Sequence, residues 1–589
     1  MGYDQSNLSS SLYGYDFVVA TTQASINATM KNFMSSIGEP EVKICYVADA
    51  VGNPTRIDYS DLLNLADGSD PFSVPDGADP ATDKDLLKLQ KARFMVGFKA
   101  RIGDPPGYAP TSIPDIVTLG TDTSAVTFRL MCSELIVVQL TPAGGYNTGS
   151  WLNASQPQGN AWFFTSKVDM RMFSTGENAY DKLPPAVREQ IKNLGNDAFS
   201  VKQLLFDLDN AALETVPEMY GVSPGTPLYR VLQQYFIGEY FTAMRAQGEP
   251  LLGCAITRPG TVDRSTFSMT DLNIEVSPFR GSTGSVVHNP TPEQQDLATL
   301  NYLCETDSDR PLPPVRFDWN WIDSLGDRDG VLSINRNTFA NYFKQLLMNN
   351  VSACCYLPYV RVWLSGFLDT DVNFQWSLTN GQTPTVTMPV SGSTVLKYNY
   401  YAGAEDKAGP NGSAADTTLS TSMDVSVDFS GNTIVVTRHL VVYLKITRTG
   451  IDLHGNVVDR TITDTYTLTV DQDGKLLSKH ASVPVDISSI PTLNGFDNFF
   501  IDLNSVINKI HDSVAGFSNT WFKELPVSFP QSFVFPGGNT FLFKDVQFSS
   551  YQDLTAGISY ADPTSVNLST FRTDPRPTLT ASCKSGGAA

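Results

Sequence analysis

The chain has 589 residues, of which 41% are hydrophobic and only 17% are charged. This composition is typical of a folded protein with a sizeable apolar core and many turns. The formal net charge of −20 opposes binding to the phosphate backbone of nucleic acids and to anionic membrane surfaces, so we predict no nucleic-acid partner.

The sequence shows no targeting or membrane-spanning signal. The first residues, MGYDQSNLSSS, have neither a basic region nor an apolar core, and no apolar run approaches the roughly 20 residues of a membrane span. Seven cysteines are scattered without metal-ligand spacing, which favours buried free thiols in a reducing compartment. We predict no signal peptide, no transmembrane segment and a cytoplasmic location at synthesis, with export by another route left open.

The first predicted elements are a strand and a helix within LYGYDFVVATTQASINATMKNFMSSIG, residues 12–38. Large apolar residues occupy every second position from Tyr13 to Val19, which is typical of a strand with one buried face. After Thr22 the spacing becomes helical, and Thr22 can cap a helix that Gly38 can end. The apolar stripe of this helix consists of Ile26, Met30, Phe33, Met34 and Ile37.

Three further helices are predicted along the chain. The second follows the capping residue Thr226, has Pro227 in its first turn and leaves hardly any polar face. The third, NRNTFANYFKQLLMNN, carries Phe343 on its apolar stripe. The fourth, from about Asn498 to Phe517, would be about 30 Å long at 1.5 Å per residue. Its stripe consists of Phe499, Leu503, Val506, Ile507, Ile510, Val514 and Phe517.

Strand-like stretches, rich in β-branched and aromatic residues, dominate the rest of the chain. Asp473-Gly474 predicts a hairpin turn, and the PGGN at residues 536–539 predicts a second one. The small, polar, glycine-rich segment 402–418 is predicted to be an exposed insertion loop. Runs of strands separated by isolated helices predict an α+β fold in which the helices lie along antiparallel sheets.

The standard catalytic motifs are missing from the sequence. There is no nucleophile elbow, phosphate loop, zinc-protease helix or dinucleotide fingerprint, and the five histidines lack metal-ligand spacing. Asp207 and Asp209 could form an acid–base pair, Cys354-Cys355 could be a redox site, and the DRDG ending at Gly330 imitates part of a calcium loop. A strand edge, a buried strand and a tight turn explain these features more simply, so we predict no enzyme activity, no cofactor and no metal.

Aromatic residues are the positive signal in the composition. The chain has 33 Phe, 23 Tyr and 7 Trp, with local concentrations such as RFDWNWI and FDNFFIDL. An ordinary core explains them most simply. The alternative is a lined cavity, because a curved sheet along a long helix leaves a seam that apolar side chains line without filling it.

Three blocks of the sequence resemble the accessory proteins often called P-forty-seven and their OrfX relatives, which are encoded beside some clostridial neurotoxins. The blocks are YGYDFVVATTQASIN near the start, FDWNWIDSLGDRDGVLSINRNTFANYF in the middle and FPGGNTFLFKDVQFSSYQDLTAGISY near the end. That group belongs to the TULIP superfamily of tubular lipid-binding proteins. The resemblance therefore implies long amphipathic helices wrapped by highly curved antiparallel sheets in an elongated tube with a hydrophobic groove, and it implies no catalytic residues.

The function predicted from these observations is non-enzymatic binding of a lipid or another apolar small molecule in that groove. The candidate groove-lining residues are Phe33, Phe236, Phe241, Phe343, Ile507 and Ile510. The alternative is a structural or toxin-associated protein that keeps a TULIP-like fold with a filled groove and binds a protein partner. An unrecognised hydrolase or a glycan-binding β protein is a third hypothesis.

Two TULIP-like halves are predicted, residues 1–290 and residues 291–589. The boundary is placed near residues 280–292, within RGSTGSVVHNPTPEQ, because this stretch is rich in small residues and turn formers. Each half would then contain its own helices and its own curved sheet.

Overall fold

The computed structural model describes most of the chain. The described residues are 2–36, 38–109, 112–122, 125–141, 149–175, 200–206, 212–215, 225–246, 251–257, 267, 269–306, 313–326, 328–365, 371–409, 415–448, 451–489, 491, 503–525, 533–534 and 540–561. Over these residues, every pairing between named strands is antiparallel.

The strands are numbered in chain order. The first fourteen are β1 (Phe17–Thr22), β2 (Glu41–Ala48), β3 (Pro54–Ile57), β4 (Phe94–Ile102), β5 (Val117–Leu119), β6 (Ala125–Leu130), β7 (Cys132–Thr141), β8 (Ser150–Ser155), β9 (Phe164–Thr175), β10 (Ser200–Phe206), β11 (Ala212–Thr215), β12 (Leu251–Thr257), β13 (Asp271–Ser277) and β14 (Thr299–Glu305). The others are β15 (Gly330–Ile334), β16 (Leu357–Ser365), β17 (Asp371–Thr379), β18 (Thr385–Thr387), β19 (Thr394–Ala408), β20 (Ala415–Ser430), β21 (Thr433–Arg448), β22 (Ile451–Val470), β23 (Leu476–Asp486), β24 (Phe533–Val534), β25 (Thr540–Phe543), β26 (Gln547–Phe548) and β27 (Leu554–Ala561).

The α-helices in the described part of the chain are shorter than the longest strands. They are α1 (Gln23–Ser36), α2 (Tyr59–Leu65), α3 (Lys84–Lys91), α4 (Pro227–Val231), α5 (Ile237–Ala246), α6 (Pro292–Asp296), α7 (Arg336–Ala353) and α8 (Leu503–Ser513). A π-helical turn, Leu232–Phe236, lies between α4 and α5.

The predicted fold class is therefore wrong. The described chain is mostly β-sheet, and it contains no long amphipathic helices wrapped by sheets. The predicted 30 Å helix ends earlier than expected, because α8 ends at Ser513 and the chain then forms a 3₁₀ turn at Ala515–Ser518. Residues 498–502 lie outside the described part. Helical periodicity marks which residues face inward, but it does not determine where the helix stops. The alternating patterns, by contrast, extend through strands of 16 and 20 residues.

One seven-stranded sheet combines distant parts of the chain, and we call it the joining sheet. Its order is β13-β14-β1-β15-β27-β25, with β26 also paired to β27. Phe17 in β1 lies opposite Cys304 on one side and Ile334 on the other. All six residues of β1 are buried, because it has sheet neighbours on both edges. Strands from before and after residue 290 thus share one sheet, while the predicted division into two halves stays a prediction.

Two other sheets are formed mainly by the N-terminal half of the chain. One has the order β3-β2-β4-β7-β8, and the other has the order β24-β12-β10-β9-β6-β5 with β11 paired to β9. The short helices α2 and α3 pack beside the first of these sheets, where Leu62, Leu86 and Leu89 are buried with Phe72 and Phe94.

A six-stranded meander, which we call the long-strand sheet, has the order β18-β19-β20-β21-β22-β23. Buried and half-buried residues alternate along β20 and β21, as expected for a sheet with one face in the core. The separate hairpin β16–β17 packs against β19 and β20: Val362 N donates to Asp406 Oδ2 at 2.7 Å, and Thr421 Oγ1 donates to Tyr356 O at 2.5 Å.

The loop predicted at residues 402–418 is replaced by strand over residues 402–408 and 415–418. Residues 402–408 belong to β19 and residues 415–418 to β20, and the two strands pair up to Ala408 opposite Ala415. Both alanines are buried with Val362. Small polar composition therefore does not end a strand when backbone pairing and a packed neighbour continue. Residues 410–414 lie outside the described part.

The two predicted hairpin turns have different outcomes. Asp473-Gly474 joins β22 to β23, with Asp471 Oδ1 accepting hydrogen bonds from Asp473 N and Lys475 N, so that prediction is confirmed. The PGGN turn at residues 536–539 lies outside the described residues. The strands on either side of it pair elsewhere, β24 with β12 and β25 with β27, so the predicted hairpin pairing is wrong over the described residues.

Candidate apolar binding site

The helical segment 227–246 is the most apolar helix of the described chain, and its predicted start is confirmed. Tyr229 N donates to Thr226 Oγ1 at 3.2 Å, so Thr226 caps the segment. The π-helical turn then interrupts it. Gln233 and Gln234 are exposed in this turn, whereas Leu232 and Phe236 are buried. A π turn inserts one residue into a helix and is frequent at functional sites.

Aromatic rings from three strands surround this segment. The ring centroid of Phe236 lies 5.2 Å from that of Phe98 in β4 and 4.7 Å from that of Phe164 in β9. The ring of Phe241 lies 5.8 Å from that of Phe128 in β6. The segment is thus packed between two sheets through edge-to-face and tilted ring pairs, which add to the stability gained from burial.

Tyr240 supplies a polar group in this apolar region. Its hydroxyl donates to Met131 O at 2.9 Å and accepts from Met131 N at 3.0 Å. Burial raises the pKa of Tyr240 well above its ordinary value, so the phenol stays neutral. Because both hydrogen bonds are made to main chain, the surface left for an apolar molecule has the character of hydrocarbon.

Phe343 lies in a second aromatic group, formed by α7 with β20 and β26. Its centroid lies 5.3 Å from that of Phe339 and 5.8 Å from that of Phe429. Phe429 in turn stacks on Phe548 with a centroid distance of 4.6 Å. Phe343 is fully buried among these rings.

Ile507 and Ile510 lie on α8, which packs on β22, and both side chains are buried. The turn after this helix covers Arg438, whose Nη1 donates to Phe517 O at 3.0 Å and whose guanidinium lies 4.5 Å from the ring centroid of Trp521. The third predicted part of the groove thus lies next to a buried charge.

Five of the six predicted lining residues belong to one continuous cluster of buried apolar residues, and none of the five is more than 1% exposed. Phe236 and Phe241 share one helical segment, Phe343 lies on α7, and Ile507 and Ile510 lie on α8. Phe33 lies in α1, and its side chain is outside the described part. The structure places these residues, whereas their role in binding a ligand stays a prediction.

The rings that line the helical segment on the sheet side were not predicted. Phe98, Phe128 and Phe164 lie on strands whose alternating pattern marks them as core. That pattern does not say which helix they face. The bond from Tyr240 to Met131 joins residues 109 positions apart, so it also needs the tertiary structure.

The other candidate chemistry from the sequence is accounted for in part. In the described part of the chain, no group of three or more metal-ligating side chains comes together. Cys354 and Cys355 are buried, and burial raises the pKa of the Cys355 thiol to about 12. Asp329 accepts hydrogen bonds from Ser25 Oγ and Tyr560 N, so its carboxylate holds elements together. Residues 207–210 and residue 327 lie outside the described part.

Among the described helices, none combines the length and the apolar character needed to cross a membrane. This finding concerns helices only, and the predicted location at synthesis stays a prediction.

No family model and no curated protein matches the chain. Among solved structures, P47 of Clostridium botulinum E1 is similar with a TM-score of 0.44 and 11% identity, over 92% of this chain and 98% of that chain. P47 from Clostridium botulinum A2 has a TM-score of 0.42 and 10% identity, over 93% of this chain and 97% of that chain.

A lipopolysaccharide binding protein is also similar, with a TM-score of 0.28 and 10% identity, over 93% of this chain and 99% of that chain. The similarity to P-forty-seven-like proteins that the sequence predicts is thus found again among solved structures. At these identities and TM-scores, the similarity does not establish membership of a family.

Proposed function

We propose that the protein binds a lipid or another apolar small molecule without catalysing a reaction, and that the ligand contacts the helical segment 227–246. The observation that carries this proposal is the π-helical turn Leu232–Phe236, which lies where the buried rings of the helix meet those of two sheets. A ligand site of this kind needs apolar walls and few polar groups.

The side chains around the turn meet that requirement. Leu232, Phe236 and Phe241 are buried among aliphatic and aromatic neighbours, and the Tyr240 hydroxyl is already paired with main chain. An acyl chain placed there would leave the two hydrogen bonds of Tyr240 intact. The hydroxyl of Tyr46, whose ring centroid lies 5.2 Å from that of Tyr235, is buried without a hydrogen bond to the described residues, so the site contains a polar atom whose burial is costly.

Entry of the ligand requires movement, because Phe236 contacts protein atoms on every side. The π turn supplies a place for it. Its inserted residue weakens the regular helical hydrogen bonding, and a shift back to α geometry would rotate the side chains on either side of it. We therefore propose that the ligand occupies space made by a local shift of this turn.

The test is extraction of the purified full-length protein with organic solvent, followed by mass spectrometry of what co-purifies. We expect close to one apolar molecule per chain. Deletion of the exposed Gln234 removes the inserted residue and should reduce the bound amount, whereas Gln234→Ala, which keeps the residue count of the turn, serves as the control. A fold retained by circular dichroism, together with no bound lipid and no uptake of a fluorescent fatty acid in the unmodified protein, would rule the proposal out.

The second candidate is an interaction protein with a filled interior that works in a toxin-type complex with a protein partner. The complete burial of Phe236, Phe343 and Ile510 favours it, because side chains packed on all sides leave no ready-made groove. Finding no co-purified lipid while a protein partner binds the intact chain would support this candidate in place of the first.

The absence of catalysis belongs to the proposal as well. Activity-based probes for serine and cysteine hydrolases should leave the protein unlabelled, because Cys354 and Cys355 are both buried and the raised pKa of Cys355 leaves little reactive thiolate on it. Labelling at Cys354 or Cys355 would instead favour an enzyme.

A further inference from the structure

The outer face of the hairpin β16–β17 carries large side chains that are not covered. On β16, exposed and buried residues alternate from Leu357 to Trp363. Leu357 and Tyr359 are each 48% exposed and Trp363 is 39% exposed, with Arg361 exposed between the two aromatic residues. We call Leu357, Tyr359, Arg361 and Trp363 the aromatic stripe.

The neighbouring strand adds polar but uncharged side chains to the same face. The residues opposite the stripe are Thr379, Ser377, Gln375 and Asn373. Arg361 is therefore the one charged residue among these eight positions. In the described part of the chain it forms no ion pair, and its guanidinium lies 5.7 Å from the ring centroid of Trp363. In a protein with a net charge of −20, this face is locally positive.

The stripe is held rigidly by the opposite face of the hairpin. Val360 and Val362 are buried. Two hydrogen bonds between main-chain atoms of this segment and side chains of the long-strand sheet, Val362 N to Asp406 Oδ2 and Thr421 Oγ1 to Tyr356 O, fix the strand against that sheet. The exposed side chains are therefore displayed on a fixed strand, and a partner binding them need not order a loose segment.

Tyr and Trp combine an apolar ring with a polar tip, which suits the boundary between lipid headgroups and acyl chains. A guanidinium pairs well with phosphate. The negative charge of the whole protein disfavours an anionic membrane surface, whereas a zwitterionic phospholipid presents phosphate without net charge. We propose that the aromatic stripe docks the protein on the surface of a phosphatidylcholine bilayer, independently of any ligand held in the interior.

The experiment is co-sedimentation of the full-length protein with phosphatidylcholine vesicles. Burying half of a large aromatic side chain corresponds to about a fivefold change in partitioning, so Tyr359→Ala should weaken binding about fivefold and Tyr359→Ala combined with Trp363→Ala about 25-fold. The matched control is Tyr401→Ala. Tyr401 is 74% exposed on β19, and alternation places its side chain on the opposite face of that strand from Asp406.

Two further measurements separate docking from other effects. Vesicles containing brominated phosphatidylcholine should quench part of the tryptophan fluorescence, and Trp363→Phe should abolish that part. Replacing phosphatidylcholine with phosphatidylserine should weaken binding at low salt. Equal binding by the double variant and by Tyr401→Ala, or binding only to phosphatidylserine, would overturn the proposal, and so would a stripe that binds a glycan or a protein but no vesicles.

The circular dichroism spectrum and the thermal midpoint of each variant show whether it is folded, since these positions are exposed. Mass spectrometry of co-purified lipid on the same variants keeps the two proposals apart. If the stripe only docks the protein on a bilayer, the double variant should retain the same amount of co-purified lipid as the unmodified protein. The interior site is tested by the extraction experiment alone.

Discussion

Arg438 and Asp464 form a buried ion pair within the long-strand sheet. Each side chain is 1% exposed, and Nη2 lies 3.2 Å from Oδ2. His480 Nε2 contacts the other carboxylate oxygen at 2.9 Å, and Trp521 covers the guanidinium. The pair thus connects β21, β22 and β23 to the turn that follows α8, and a partner left alone there would be an uncompensated buried charge.

Asp464→Asn should accordingly lower the free energy of unfolding by about 3–5 kcal/mol, the usual cost of breaking a buried pair from one side. Urea unfolding followed by circular dichroism measures the loss. Asp452→Asn is the control, because its pair with His454 is exposed and such pairs contribute about 0–1 kcal/mol. Equal, small effects of the two substitutions would contradict the assigned role of the pair.

Glu275 is a second buried acid, on β13 of the joining sheet. Its Oε2 accepts hydrogen bonds from Ser277 Oγ at 2.8 Å and Asn301 Nδ2 at 2.6 Å, while its Oε1 lies 4.0 Å from Arg316 Nε. Burial, the largest cause, raises its pKa from 4.5 to about 7. Between about pH 4.5 and 7, the Glu275 carboxyl of the folded protein therefore keeps a proton that the unfolded chain has already released.

Because the folded state binds the extra proton, this group makes stability fall as the pH rises through that window. Glu275→Gln stays neutral, so it should flatten the fall and raise the free energy of unfolding at pH 8 by up to about 3 kcal/mol. The gain should disappear near pH 4. Urea titrations at several pH values measure it, with Glu405→Gln on β19 as an exposed control; a gain that does not depend on pH would refute the assignment.

At this scale, sequence reasoning succeeds where the partner is near in the chain. Thr22 was expected to cap α1, and Ser25 N donates to Thr22 Oγ1 at 3.2 Å; Thr226 caps the next helix in the same way. The pair of Arg438 with Asp464 was not predicted, because the residues lie on different strands and only the sheet register brings them together.

Among the helices, α7 and α3 begin with caps that differ in burial. Asn335 Oδ1 accepts from Asn337 N at 2.8 Å, and its Nδ2 donates to Leu8 O and Tyr15 O in the buried N-terminal segment. The cap of α3, Asp83, accepts from two main-chain amides at a half-buried site. Asp83 thus stabilises only the start of α3, whereas Asn335 stabilises the start of α7 and also attaches it to the N-terminal segment.

We expect Asn335→Ala to cost about 2 kcal/mol of unfolding free energy, since a lost cap costs about 1 kcal/mol and the loss of the donor to Tyr15 O adds about 1 kcal/mol or more. Leu8 O keeps its hydrogen bond from Gly14 N. Asp83→Ala should cost about 1 kcal/mol. Chemical denaturation of the two variants gives the comparison directly. If both lost the same amount, the contacts of Asn335 with the N-terminal segment would contribute nothing.

Element types were more predictable than element lengths. The alternating residues from Thr433 to Thr447 predict a strand, and β21 extends from Thr433 to Arg448. The loop expected at 402–418 and the helix end expected at Phe517 were both wrong, because hydrogen bonding to a neighbouring strand and packing against the sheet decide where an element ends. The π turn has no marker in the sequence, since Gln233 and Gln234 fit a regular helix equally well.

On the scale of the whole molecule, the joining sheet makes the two ends of the chain interdependent. Asp553 Oδ2 accepts from Ser6 Oγ and Leu8 N, and Asp553 Oδ1 accepts from Arg336 N. Together with β1 between β14 and β15, these bonds attach the N-terminal segment to strands from the middle and end of the chain. Neither predicted half contains a complete joining sheet.

Fragments 1–290 and 291–589 expressed separately should therefore not reach the stability of the full chain. In the first fragment β1 lacks both neighbours, which exposes two sheet edges and a strand that is buried on all sides in the whole protein. Limited proteolysis and circular dichroism measure the outcome. A fragment 1–290 that resists protease as well as the full chain does would show two independent domains instead.

The order of strands in the sheets was beyond the sequence analysis. The pairing of consecutive strands from β19 to β23 is what a series of hairpins predicts, because each strand pairs with the next one along the chain. The pairing of Phe17 with Ile334 joins residues that no local pattern relates. Candidate lining residues such as Phe236 could be identified as core, but their packed state depends on the far strands that enclose them.

The central place of β1 also has a consequence for biosynthesis. A ribosome adds about 5–20 residues per second, so β14 and β15 are synthesised only about 15–60 s after β1. During this delay its apolar side chains and unpaired backbone are accessible to chaperones or to other nascent chains, whereas the meander β19–β23 can assemble as it is made. Although β1 is synthesised early, it is thus among the last strands to pair with its neighbours in the sheet.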